Sequence, residues 1–193
     1  MQKNPEVVRF NILRNALYHS ARRRSLERMN RGFNFLVVVL GTAAFGDLTV
    51  GLGISAGWIG AAVAVIGALQ LVFDFGRQAR DHQALQKAYF ELLADVEAKL
   101  EPGPEDAANW QAKMMRITAD EPPVYKAIDA KAYNDAIDAV DWDQEERLHV
   151  PLWDRLLASI WALDGRQYEK IREINARREA KHAAREAKRA GKG

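Results

Sequence analysis

The chain has 193 residues, a net charge of +2 and no cysteine, which excludes disulfides, thiolate chemistry and cysteine-bound zinc. His19, His82, His149 and His182 lie far apart and form no HxxxH spacing, so no metal site is expected. The near-neutral total hides charge blocks: residues 1–31 carry +6, 32–100 carry −2, 101–165 carry −8 and 166–193 carry +6. Such asymmetry suits a membrane or another charged surface.

Residues 6–31 read as a basic helix, with Val7, Phe10, Leu13 and Leu17 on one face. Its arginines serve as topology signals or as contacts to anionic lipid. Phe33 to Phe75 follows, 43 residues with two charges, Asp47 and Asp74. As one helix it would run roughly 65 Å, about twice the hydrocarbon core of a bilayer. Two spans fit, about Gly32–Phe45 and Trp58–Phe75, broken at the glycine-rich GDLTVGLGISAG, Gly46–Gly57. The break holds no Lys or Arg, whereas Arg22–Arg24, Arg28 and Arg31 precede it and Arg77, Arg80 and Lys87 follow. The positive-inside tendency then puts both termini in the cytoplasm. A signal peptide would have a short basic region and a single apolar core. A buried hairpin of a soluble protein stays open, because the first span is short.

Gly60, Val63, Gly67, Gln70 and Asp74 share a face of the second span, and Asn34, Val38, Gly41, Thr42 and Phe45 share one of the first. Two readings remain. In the first, Gly60, Ala64, Gly67 and Ala68 let helices approach closely while Gln70 and Asn34 bond across the contact. In the second, Asn34, Thr42, Gly67 and Gln70 line a pore, with Asp74 at the cytoplasmic mouth and Asp47 near the outer one. Acidic mouths would favour cations. Two helices cannot enclose a pore, so this reading needs a homo-oligomer.

Residues 76–100 continue as a helix with a seam of Leu85, Tyr89, Leu92, Val96 and Leu100, ended by EPGP at 101–104. A helix over about Glu105–Ala119 follows. Pro122 and Pro123 suit the start of another, whose apolar face is Tyr125, Ala132, Tyr133, Ala136, Ile137 and Val140. Pro151 starts a last short helix, with Leu152, Leu156, Ile160 and Leu163 inside. The tail 166–193 begins as a basic helix. With only Tyr168 to stack on a base, nucleic-acid binding is not expected. No strand pattern exceeds a few residues, so the chain reads as an all-α membrane protein: a basic helix (1–31), a transmembrane hairpin (32–75), a cytoplasmic helical region (76–165) and a basic tail (166–193).

No phosphate loop, dinucleotide fingerprint or nucleophile elbow is present, so no enzyme activity and no cofactor are expected. Glu121, Asp129, Tyr133, Asn134 and Asp138 form the one group with the composition for acid–base work.

The order of these pieces resembles the SLATT family, two-transmembrane effector domains found beside nucleotide-second-messenger synthases and nucleotide sensors in bacterial conflict systems. NALYHSARRRSLERMNR (15–31), the small-residue spans and LVFDFGRQARDHQALQKAYFELLADVEA (71–98) carry the resemblance. In the last stretch Arg80, His82, Leu85, Tyr89 and Leu92 occupy expected positions. DEPPVYKAIDAKAYNDA (120–136) is similar to an EPP…D…YN segment of one branch, through Glu121, Pro122, Pro123, Asp129, Tyr133 and Asn134. The match covers roughly 6–163. It implies a pore-forming effector in the bacterial inner membrane that permeabilises an infected cell, with a separate sensor or nucleotide-second-messenger system as partner. Nothing in these 193 residues resembles a nucleotide-binding sensor, and the basic tail lies outside the pattern. A membrane-anchored scaffold without a pore is the alternative.

Overall fold

A computed structural model describes residues 4–42 and 56–190. Among these the chain is helical, with a lone antiparallel bridge between Leu148 and Lys170 and no strand. The helices are α1 (Pro5–Gly41), α2 (Ala56–Phe73), α3 (Phe75–Glu97), α4 (Pro104–Thr118), α5 (Lys126–Ala139), α6 (Leu152–Leu157) and α7 (Ile171–Ala190). A 3₁₀ turn, Gln144–Glu146, precedes α6. Two compact units result: Met1–Ala21 with Leu85–Gly193, and Arg22–Ala84.

The first unit is built on α1. Asn4 caps that helix by accepting the Glu6 N–H at 2.9 Å, and Pro5 occupies its first turn, where no N–H is needed. Val8, Ile12 and Ala16 pack with Tyr89, Leu92 and Val96 of α3 and with Ala107, Trp110 and Met114 of α4. A second face sets Phe10, Leu13 and Leu17 against Tyr133, Ala136, Ile137 and Val140 of α5. Of the expected face, Phe10, Leu13 and Leu17 are inside, whereas Val7 is 50% exposed and its neighbour Val8 is buried on the other stripe. A helix clasped from two sides needs two stripes, and a single stripe misses one of them.

The α3 seam holds at Tyr89, Leu92 and Val96, but Leu100 lies past the helix end and is 95% exposed. Pro104 starts α4, where Asp106 Oδ2 accepts the Gly103 N–H at 2.9 Å. Pro122 and Pro123 do not open α5. They run as an irregular segment ahead of it, and α5 begins at Lys126, whose N–H donates to the Ala162 carbonyl at 2.9 Å. The final short helix ends at Leu157 rather than near Leu163, and Leu152, Leu156 and Ile160, expected inside, are exposed.

The second unit pairs the end of α1 with α2 and the start of α3. Leu26, Phe75 and Ala79 form its core with Met29 and Phe33. Phe33 and Phe75 stack with ring centroids 5.4 Å apart. The expected second span stops two residues short of Phe75: α2 ends at Phe73, and Asp74 takes a left-handed φ of 38° before α3 begins. Asp74 Oδ1 accepts the Arg77 N–H at 3.0 Å, so it caps α3, and Gln78 Nε2 donates to the Phe73 carbonyl at 2.5 Å.

Among the described residues one helical run, starting at Gly57, is long and apolar enough to cross a membrane, with mean hydropathy 1.9. Only 6% of its apolar window is buried. The soluble-hairpin reading needs that window covered, and it is not. The first expected span ends beyond Thr42, so its last residues, the glycine-rich break and Asp47 lie outside the described residues.

Ile12 is fully buried among three helices, so Ile12→Ala should cost about 2–5 kcal/mol. Val7→Ala should change stability by less than about 0.5 kcal/mol. Thermal unfolding of the detergent-solubilised chain, followed by helical circular dichroism, separates the two shifts.

Candidate functional site

In the second unit the polar residues of the apolar helices meet. Gln70 Nε2 donates to Asn34 Oδ1 at 2.8 Å. Asn34 is exposed and Gln70 half-buried, so the pair sits at the rim of the α1–α2 contact. Ile59, Ala62, Val63, Ile66 and Gln70 form the partly covered side of α2. Gly60, Ala64, Gly67 and Ala68 are exposed, roughly a third of a turn around the helix. A Cβ added at Gly60 or Gly67 would meet no atom within 4 Å. The small-residue stripe thus does not bring α2 close to α1, as the packing reading expects. It faces out.

Thr42 is exposed, and its hydroxyl donates back to the Val39 carbonyl at 2.9 Å. Arg80 is exposed beside Gly76, with one guanidinium nitrogen 3.6 Å from the position of a Cβ there. His82 is buried.

In the first unit the EPP…D…YN residues have separate structural partners. Tyr89, fully buried on α3, donates its hydroxyl to Glu121 Oε1 and lies 2.8 Å from Thr118 Oγ1. His19, fully buried on α1, stacks on the Tyr89 ring and places Nε2 3.2 Å from the same Glu121 oxygen. Glu121 lies three residues past the end of α4 and therefore ties α1, α3 and α4 together. Burial, then donation to Glu121, raises the Tyr89 pKa well above the usual tyrosine value.

Arg14 holds Asp129 through two bonds, at 2.9 and 2.6 Å, and its guanidinium lies 5.6 Å from the Tyr133 ring centre. Asn134 is buried and binds the Leu148 backbone twice: its amide donates to the carbonyl at 2.9 Å and its oxygen accepts the N–H at 2.7 Å. Asp138 accepts from Arg147 at 2.9 Å. Pro122 and Pro123 are exposed. The five residues with acid–base composition are thus engaged by structural partners, with Asp129 and Tyr133 sharing Arg14, rather than gathered at one reactive point. Among the described residues no group of three His, Asp or Glu side chains could hold a metal.

Sequence reasoning missed His19 and Arg14. Both lie on the buried side of a helix whose arginines looked like membrane-topology signals. A polar residue spaced three or four from buried apolar positions was the available sign. No family model matches the chain, and no curated protein or solved structure matches it.

Two predictions follow from these partners. Asn134→Ala would leave the Leu148 N–H and carbonyl without their partner and should cost about 1–3 kcal/mol. Asn134→Asp, which cannot donate, should recover part of that loss, as read from thermal unfolding. Tyr89 is held neutral in the folded chain, and so is Tyr168, raised to about 12 by burial and by donation to Asp154. A raised phenol pKa stabilises fully below the ordinary value of 10.0, and that stability falls as pH rises from there through the folded values. Tyr89→Phe should flatten the alkaline limb of the stability curve between pH 10 and 12 while lowering stability at neutral pH by about 1–3 kcal/mol.

Proposed function

We propose that the chain is a membrane effector of the SLATT type, which assembles with copies of itself to permeabilise the inner membrane of a bacterium. The carrying observation is the outward small-residue stripe on an apolar, uncovered α2: Gly60, Ala64, Gly67 and Ala68. An exposed stripe of this kind lets a second helix approach closely within a bilayer. On this reading the end of α1 and α2 cross as a hairpin with both termini cytoplasmic, in line with the arginines flanking them. The Asn34–Gln70 pair would face the pathway, and Asp74 its cytoplasmic mouth. A separate sensor or nucleotide-second-messenger system would supply the trigger. The EPP…D…YN residues would form the cytoplasmic scaffold that transmits it.

One observation favours the second reading, a membrane-anchored scaffold without a pore. Gln70 already donates to Asn34, and Asp74 is a helix cap. On that reading α1 and α2 only hold the first unit at the membrane, where it recruits a partner.

Dye release from liposomes holding the full chain separates the two. The pore reading expects release, abolished or reduced at least tenfold by Gly67→Leu, which obstructs the stripe, and altered in rate by Gln70→Leu. Absence of release with every nucleotide second messenger tried, together with a monomer in detergent, would sink the pore and leave the scaffold.

A further inference from the structure

The segment Leu152–Trp161 is amphipathic in reverse. Asp154 is buried, accepts from the Tyr168 hydroxyl at 3.0 Å and pairs with Arg166 at 3.6 Å. Ala158 packs toward Tyr18, Ile128 and Ala132. The polar residue and the small one are therefore the anchors. On the other side Leu152 and Trp153 are 72% and 75% exposed, and Leu156, Leu157, Ile160 and Trp161 are exposed with them. Leu152, Trp153, Leu156 and Leu157 lie within about half a turn of α6, and Ile160 and Trp161 follow in the turn just past its end, where both N–H groups donate to the Leu157 carbonyl. A single exposed leucine needs no explanation; three leucines, an isoleucine and two tryptophans exposed within ten residues do.

Three facts select the occupant. Tryptophan with leucine on one side of a short segment is the composition of a membrane interface, where an indole keeps its N–H wet and its ring in the acyl boundary. The same unit carries cations suited to anionic headgroups. Arg155 is exposed on α6, and on α7 Arg178, Lys181, Arg185 and Lys188 recur at spacings of three, four and three, which makes one exposed basic stripe. Finally, α2 belongs to the same chain, so the bilayer is present at high effective concentration and weak insertion suffices.

We infer that Leu152–Trp161 is a membrane-surface anchor that inserts into a leaflet rich in anionic lipid, with the α7 stripe holding the headgroups. This rests on the reading of α2 as a membrane span. Docking of this kind would hold the first unit against the bilayer, and its release would be a route by which a partner changes the state of the membrane helices.

The absence of cysteine makes the test direct, because an introduced thiol is the sole labelling site. The full chain, as Leu156→Cys or independently Ile160→Cys, is labelled with an environment-sensitive dye. It is then placed, one chain per disc, in lipid discs of phosphatidylcholine alone or mixed with phosphatidylglycerol. Val65→Cys on α2 reports the span separately. The anchor expects blue-shifted emission at 156 and 160, quenched by a shallow spin-labelled lipid, in the anionic discs and much less in the neutral ones. Aqueous emission at both positions while the Val65→Cys label is quenched by deep brominated lipid overturns the anchor and leaves the span intact. A blue shift that requires two chains per disc also overturns it, in favour of a second copy. Equal shifts in both lipids overturn the anionic assignment. A wet label at Val65→Cys overturns the span, and with it the tethered anchor that rests on it.

Discussion

A phenol and an imidazole, both fully buried and facing each other, need a polar partner that the surrounding helices do not supply from their own backbones. Tyr89 and His19 continue the seam formed by Val96, Leu92, Ile12 and Ala16, so apolar packing draws them inward. Leaving either polar group unpaired would cost about 1–3 kcal/mol. Glu121 answers both with a single carboxylate oxygen. That requirement fixes where the chain must be three residues after α4 ends. From there Pro122 and Pro123, which disfavour helix, carry it on to α5, and the Tyr125 N–H is caught by the Tyr18 hydroxyl at 3.0 Å. The order of α4 and α5 around α1 follows from this contact.

The same device recurs further along. Asp129, Asn134, Asp138 and Asp154 each join a helix to something other than its own turn: Arg14, the Leu148 backbone, Arg147 and Tyr168. Glu146 binds Lys170 and Arg172 at 2.5 Å each, which clasps the start of α7 beside the Leu148–Lys170 bridge. The acidic stretch is therefore not simply a solvated face. With α6 of only six residues, polar links do much of the positioning there.

What the sequence disclosed followed from periodicity. The helices before and after the apolar stretch, the α3 seam at Tyr89, Leu92 and Val96, and the α5 face at Ala132, Ala136 and Ile137 were all legible, because buried positions repeat every three or four residues. The errors have a common cause. At Val7 alone the expected α1 face failed, while Phe10, Leu13 and Leu17 held; a helix buried on two sides carries a second stripe, begun by Val8. At Leu152, Leu156 and Ile160 the period was right but its direction was inverted, since period alone does not say which face is inside. That was decided by Asp154, whose partners Tyr168 and Arg166 lie more than ten residues on. The Asn34–Gln70 bond was legible as a pair, but the rotation of α2 that leaves Gly60 and Gly67 outside depends on Phe33, Phe75 and the break at Asp74.

That rotation bears on how a pore built from these helices would behave. In the separate chain the two amides on the apolar helices are bonded to each other, so neither is left to face hydrocarbon alone. Opening a water-filled path along them would exchange this bond for hydration. Hydrogen bonds between helices in a membrane are worth only about 0.6 to 2 kcal/mol, so the exchange is a small barrier, within reach of a modest rearrangement. The stripe of Gly60, Ala64, Gly67 and Ala68 is separate from it and needs no such exchange. Contact between copies and wetting of the path would therefore rest on different faces of α2. An assembly of this kind can be closed while fully formed, which is the property a gated effector requires and a simple anchor does not.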